Sequence, residues 1–395
     1  MKKDNNIIRI LLVGSTPPPL HGSSIYLKSL IDALRNHGCF TVFHVNTSDG
    51  RDDLDNMGQL DLGNITSGLK AWWNVLRNCL RYRPQIIYVP IAQNTLAFLR
   101  DGLFLLTGRI FGAKALIHLH GSYFLDFYLN SNIIYRLFIS FVIKNSSLAL
   151  VLGDKLRPIF TRWLPEHRIK TLPNFISDDF LQYIESEKLN KKYHRNNNLK
   201  ITYLGNLNET KGILQLIASV ESLISQINID LYLAGKYSTD PFTGTKKEQI
   251  KNEIENFRLK FPNNVFYLGP IYDLEIKCKY LLDADIFVFP SWYPIEGQPL
   301  VLLEAMAAGC PIISTLECGV IEDTVSNGVN GILVRKKNIS QLSDAIRMLV
   351  ENEQLRIQYG NASKRIFQER FTVDSHINKF HKICSSIVST EEIVN

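Results

Sequence analysis

The sequence predicts an α/β protein built from two doubly wound, parallel-sheet domains, and three observations carry that expectation. Short apolar, β-prone runs alternate with helix-forming runs along the chain, which is the pattern of βαβ units. Several of those runs stop at a glycine (Gly14, Gly153, Gly205, Gly235, Gly269), as they do where loops leave the carboxyl edge of an open parallel sheet. The 395 residues suffice for two domains of ordinary size, each with its own core. With 45% hydrophobic and 21% charged residues the composition is that of a soluble globular protein.

In chain order, the first strand is expected from Ile7 to Val13. Asp4 and Arg9 interrupt the apolar start, which is too short for a signal peptide. In the loop STPPPLHGSS the prolines exclude helix until Gly22, where backbone can approach a ligand closely. A helix from about Ser24 to Asn36 follows, closed by Gly38. From Asn64 to Gln85 an amphipathic segment carries Trp72, Trp73, Leu76 and Leu80 beside Lys70, Arg77, Arg81 and Arg83. It reads either as a core helix with a basic outer face or as one that touches a membrane surface. The aromatic-rich stretch Tyr123 to Ile143 is a second candidate surface.

Strand Ala115 to Leu119 ends in HLHGSYF, and alternation places His118 and His120 on one face. That arrangement could hold a metal, but no third ligand follows at a fitting spacing, so metal is discounted. A strand is expected from Leu148 to Leu152, and the polar stretch from Ser186 to Lys200 reads as an exposed connection.

The second domain opens with strand Lys200 to Leu204, Gly205, the loop NLNETKG and a helix from Ile213. A lone lysine before a helix is usually a solvated surface residue. At a strand-to-helix loop, Lys211 instead joins backbone amides and the helix dipole as a cradle for a diphosphate. Strands Asp230 to Ala234 and Val265 to Leu268 come next, then Asp285 to Pro290 and Pro311 to Thr315 around a helix from Leu300 to Ala308. Pro299 suits the first turn of that helix, Gly309 its end, and Pro311 forbids continuation. Asp283 and Asp285 form a DxD, but they precede an apolar strand rather than follow one, so they read as structural. Turns at Gly319, Asn327 and Asn330 lead to strand Gly331 to Val334, and the chain from Ile339 is helical.

Glu304 lies amid Leu302, Leu303, Ala305 and Met306, where a charge is costly unless it has partners. A ribose cis-diol would supply them, and Glu296, nearer the loop tip, could receive hydroxyls of a second sugar. Either glutamate alone reads as a solvated carboxylate; the pair, with Gly297 and the Pro-bounded helix, reads as a site. Charge is uneven: residues 1–176 hold 20 Lys+Arg and 11 Asp+Glu, a balance of +9 within the total of +6. An anionic partner is therefore expected of the first half, a membrane surface rather than nucleic acid, since no stacking motif or basic recognition helix occurs.

Glu296, Gly297, Leu300, Glu304, Ala305 and Gly309, in the string PSWYPIEGQPLVLLEAMAAGCPII, resemble the paired-glutamate signature of retaining GT-B glycosyltransferases of family four. The resemblance implies GT-B architecture, two Rossmann-like domains with a cleft between them. It also implies transfer with retention from a UDP- or GDP-linked nucleotide sugar, with no metal and no other cofactor. On this footing the domains are 1–176, a linker at 177–199, 200–371 for the donor, and 372–395 crossing back to the first domain.

The same resemblance assigns roles. Glu296, His120 and Lys211 are the catalytic set, with His120 at the transferred sugar, Glu296 on its hydroxyls and Lys211 on the diphosphate. Gly22, Gly205, Asn206, Gly297, Pro299 and Leu300 line the donor, and Glu304 grips its ribose. His21 completes a Pro-Pro-x-His-Gly loop similar to the family's. Two departures stand out. Gln298 and Pro299 occupy positions where the family often has Phe and Gly, and Asn206 stands where its Gly-Arg-x4-Lys-Gly pattern has Arg. The second removes a positive charge, so another basic residue substitutes or activity is lower or differently tuned.

The expected function is transfer to a lipid-linked oligosaccharide in bacterial surface polysaccharide or O-antigen (lipopolysaccharide) synthesis, by a cytoplasmic protein peripheral to the inner face of the membrane. A small soluble acceptor and a non-catalytic nucleotide-sugar binder are the alternatives. A nicotinamide dehydrogenase is disfavoured, because neither Gly14 nor Gly205 belongs to a GxGxxG.

Overall fold

The computed structural model describes residues 7–18, 22–48, 62–190 and 198–389. The chain divides into two units, Met1–Asn174 with Val373–Asn395, and Phe175–Thr372.

In the first unit the order is β1 (Ile8–Gly14), α1 (Gly22–His37), β2 (Phe40–Asn46), α2 (Leu62–Tyr82), β3 (Ile86–Ile91), α3 (Thr95–Ile110), β4 (Lys114–Leu119), α4 (Phe124–Asn130), α5 (Ile133–Asn145), β5 (Leu148–Val151) and β6 (Ile169–Thr171). These strands form a parallel sheet in the order β2-β1-β3-β4-β5-β6. Its strands are apolar on both faces because helices cover both. The chain steps from β1 out to β2, then back across to β3 and onward. With right-handed crossovers this sets α1 on one face and α2, α3 and α5 on the other. The packing agrees: α2 lies against α3 and α3 against α5.

The second unit contains α6 (Asp178–Asn190), β7 (Leu199–Leu204), α7 (Ile213–Glu221), β8 (Ile229–Ala234), α8 (Lys247–Lys260), β9 (Val265–Gly269), α9 (Leu274–Asp283), β10 (Ile286–Phe289), α10 (Leu300–Ala308), β11 (Ile312–Thr315), α11 (Ile321–Thr324), β12 (Gly331–Val334), α12 (Ile339–Glu351) and α13 (Glu353–Arg370). The parallel sheet runs β12-β11-β10-β7-β8-β9. From β7 the chain moves one way, through β8 to β9; from β10 it moves the other way, through β11 to β12. The boundary between β7 and β10 is thus a topological switch point, where the loops following two adjacent strands part and leave a crevice.

A last helix, α14 (Val373–Val388), belongs to the first unit and packs on α1. Two local expectations need correction. The stretch read as a linker, 177–199, carries α6, whose Phe180 and Ile184 are buried one turn apart in the core of the second unit. The first-unit helix starts at Gly22 rather than Ser24, so Gly22 is its first residue and not a free loop position. His21 lies outside the described residues.

The DxD lies at the amino edge of β10. Asp285 accepts the backbone N–H of Lys200 at 2.8 Å, and Asp283 lies 3.6 Å from the Lys200 ammonium. Both carboxylates thus serve the start of the sheet, on the edge opposite the crevice.

Candidate donor site

The two loops that bound the switch point bring Lys211 and Glu296 together. Lys211 ends a short 3-10 turn, Glu209–Lys211, after β7; Asn208 caps the turn by accepting the Lys211 N–H at 3.2 Å. The turn is held from two sides. Buried Asp240, in the loop after β8, accepts the N–H of Thr210 at 2.7 Å, and the Thr210 carbonyl accepts the N–H of Trp292 at 2.8 Å. Burial alone would raise the Asp240 carboxyl. The Thr210 hydroxyl and the amides of Thr210, Phe242 and Thr243 outweigh it and hold the group below its ordinary range.

Lys211 Nζ donates to Glu296 Oε2 at 2.6 Å, and the Ser291 hydroxyl donates to the same oxygen at 2.8 Å. Glu296 is 8% exposed, so the pair sits in a partly desolvated place where each charge needs the other. The Tyr293 ring lies 4.3 Å from Lys211 Nζ and adds a cation–π contact. Burial, then the negative charges of Glu296 and Asp240, push the Tyr293 hydroxyl up to about 12. Cys318 moves the same way, to about 12, by burial first and Glu296 second. Both groups are therefore neutral at physiological pH.

The remaining donor-side residues fall along the same loops. Gly205 ends β7 and donates its N–H to the Ala234 carbonyl at 3.0 Å, so that amide is already used. Asn206 is exposed; its carbonyl accepts from Tyr203 Oη at 2.9 Å. Gly297 is buried and its carbonyl accepts the Val320 N–H at 3.1 Å, which ties the Glu296 loop to the loop after β11. Gln298 is buried and donates to Thr324 Oγ1 at 2.9 Å, a structural use for a side chain where the family often has Phe. Pro299 caps α10 and Leu300 begins it. With no side-chain cap and no acidic residue in its first turn, the helix presents its positive end to an anion.

Glu304 lies within α10. It pairs with Lys277 in the first turns of α9, Nζ to Oε1 at 2.8 Å, with the Glu304 side chain 13% exposed. The charge buried in an apolar helix thus has a partner, and that partner is a lysine. Lys277, Ser291, Tyr293 and Asp240 contact the candidate residues or the turn that carries them, and the sequence reading did not single them out. Only Asp240 left a signal, an Asp-Pro pair in a glycine-containing loop.

In the first unit, Gly22 opens α1 after β1 and His120 follows β4, both beyond the carboxyl ends of their strands. The His120 ring lies 4.5 Å from that of Tyr26 on α1 and 4.1 Å from that of His118. His118 is fully buried and its Nδ1 is 2.7 Å from Tyr88 Oη. The two histidines are therefore unlike: one is a core residue, the other stands at the strand end. Among the described residues no cluster of three metal-ligating side chains occurs.

Residues 185–366 match the family model for glycosyl transferases, group 1. This segment contains the Lys211 and Glu296 loops and Glu304. CapM of Staphylococcus aureus, a capsular polysaccharide biosynthesis glycosyltransferase, is 29% identical over 221 residues, 54% of each chain. The N,N'-diacetylbacillosaminyl-diphospho-undecaprenol alpha-1,3-N-acetylgalactosaminyltransferase of Campylobacter jejuni is 36% identical over 121 residues, 30% of each. The chain thus spans about half of the first of these two relatives and less than a third of the second. Among solved structures, Anabaena HepE in complex with UDP superposes with a TM-score of 0.69 at 17% identity, covering 96% of this chain and 100% of that one. The two Rossmann-like halves are those of the GT-B fold.

Proposed function

We propose that this chain is a retaining glycosyltransferase that takes a sugar from a UDP- or GDP-linked donor. The observation that carries the proposal is the Lys211–Glu296 pair at the β7/β10 switch point, inside the segment that matches the group 1 family. Breaking the bond between sugar and diphosphate builds negative charge on the leaving oxygen and positive charge on the ring. Lys211 and the amides at the start of α10 compensate the leaving group, where one such fixed donor is worth about 3 kcal/mol. In this proposal these donors do the work that a metal ion would otherwise do at the leaving group. Glu296 accepts sugar hydroxyls, Glu304 accepts the ribose diol with Lys277 beside it, and His120 contacts the transferred sugar.

No further carboxylate stands by Glu296 as a nucleophile among the described contacts, which favours front-face displacement. The acceptor hydroxyl oxygen bonds to the anomeric carbon. The bond to the diphosphate breaks, its electron pair goes to the phosphate oxygen, and that oxygen takes the hydroxyl proton. Configuration is retained because attack and departure share one face.

The acceptor is proposed to be a lipid-linked glycan in surface polysaccharide or O-antigen assembly, with the protein peripheral on an anionic membrane. The basic first half and the names of the two relatives support this. No helix among the described residues is long and apolar enough to cross a membrane. Asn206, where the family pattern has Arg, favours a second reading, a nucleotide-sugar binder without catalysis. Thermal stabilisation by UDP, GDP and ADP, followed by a panel of the matching sugar donors, tests both. We expect stabilisation by one diphosphate and turnover of its sugar. Binding without turnover supports the second reading, and no stabilisation by any of the three contradicts both.

A further inference from the structure

We propose that the outer faces of α2, α3 and α5 form one patch that lies on an anionic lipid surface, with α5 sunk to the depth of the first acyl carbons. The proposal deepens the membrane part of the reading above and is independent of the sugar chemistry.

The observation starts at α5. Its inner face, Ile139, Val142 and Ile143, is buried against the first unit. Its outer face is apolar too: Ile133, Ile134, Leu137 and Phe141 are between 56% and 78% exposed, and Lys144 is the one fully exposed charge. On a surface helix of a globular protein those outward positions carry polar residues. The stripe continues onto α3, which packs against α5 and exposes Leu99, Leu103 and Ile110, and onto α2, which packs against α3 and exposes Trp73. A run of large apolar side chains over three adjacent helices exceeds the scattered exposure that needs no explanation.

Charge selects the occupant. Interleaved with the apolar residues, Lys70, Arg77, Arg81, Arg109 and Lys144 are exposed. The sole acidic residue of the three helices is Asp101, which is 2% exposed and held by Arg100 at 3.0 Å. On these three helices the apolar side chains are interleaved with cations and no exposed carboxylate, the exposed Asp126 lying on the neighbouring α4, and that pattern complements anionic headgroups above an acyl layer. None of these helices can span, so the contact is one of lying on the bilayer.

The test uses the full chain with vesicles of phosphatidylethanolamine and phosphatidylglycerol at low salt, against vesicles of phosphatidylcholine alone. We expect binding to the anionic vesicles only, with a blue shift in the emission of exposed Trp73, read as the difference from Trp73→Phe. Ile134→Ser/Leu137→Ser/Phe141→Ser and, separately, Lys70→Glu/Arg77→Glu should each lower the partition coefficient by about tenfold or more. These positions are exposed, so thermal unfolding should be unchanged; should the triple variant unfold, Leu137→Ser alone carries the test. Absence of binding at low salt, or unaltered binding by the variants, overturns the proposal. So does a lipid-free dimer that dissociates in the triple variant, because the patch would then be covered by a second copy. Nucleoside diphosphate binding by the same variants keeps the two readings apart. Vesicle binding through these residues without nucleotide binding overturns the activity alone, and the converse overturns the surface alone.

Discussion

A methyl group built on the Cα of Gly212 would stand 2.1 Å from the carbonyl oxygen of Pro290. The turn that carries Lys211 and the loop that carries Glu296 therefore meet backbone to backbone, so main chain fixes how closely the two segments approach. Gly212 also holds φ at +79°, a conformation that glycine adopts without strain. Gly212→Ala should cost about 2–4 kcal/mol, the strain of a left-handed alanine plus the displacement of Pro290. Urea unfolding checks this, and an unmoved midpoint would show the contact to be loose.

Glu304 and Lys277 form the second pair, and the ribose diol is expected to share the carboxylate with the lysine. Glu304→Gln keeps the shape and loses the charge, so donor KM should rise about ten- to hundredfold, with a smaller effect on kcat. Lys277→Met leaves the carboxylate without its cation and should lower thermal stability. If KM for the donor is unchanged in Glu304→Gln, the diol is bound elsewhere.

His376 gives the first unit a pH dependence. Its Nδ1 lies 2.9 Å from the Pro173 carbonyl and its Nε2 lies 3.1 Å from Tyr26 Oη. A carbonyl only accepts, so Nδ1 carries the proton and Nε2 accepts from the tyrosine. Burial pulls the group from 6.5 to about 3; the Pro173 carbonyl opposes this, and His120 and Lys379 add to it. The unfolded chain thus takes up this proton as pH falls below 6.5, while the folded chain does so only near 3. The stability from neutral His376 is complete above 6.5 and lost as pH drops, on the order of 3 kcal/mol by pH 4. In His376→Phe the unfolding free energy should fall less steeply over that window. Buried His118 is lowered in the same direction, so part of the slope remains.

Much of this was legible in the residues. The strands, their glycine ends and the Pro-bounded α10 follow from local chemistry, and Gly309 takes the left-handed conformation, at φ +87°, expected past a helix end. The glutamates could be read as a pair because both lie in one βαβ unit. Lys277 could not be assigned to Glu304, because only the crossover from β9 back to β10 brings α9 beside α10. Ser291 and Tyr293 are loop residues, and only the fold sets the first against Glu296 and the second against Lys211. In α6 the polar composition of the segment outweighed Phe180 and Ile184, whose spacing of four did signal a buried helical face.

In the proposed reaction Lys211 and Glu296 together hold a nucleoside-diphosphate sugar and assist its cleavage. The direct measurement is nucleoside diphosphate release from UDP- and GDP-linked sugars with a chelator present, for the wild-type chain, Lys211→Ala and Glu296→Gln. We expect one donor to be turned over by the wild type and kcat to fall about 10²–10³-fold in each variant, with both variants less stable for the lost ion pair but still folded at the assay temperature. Turnover at the wild-type rate in folded Lys211→Ala and Glu296→Gln would contradict it.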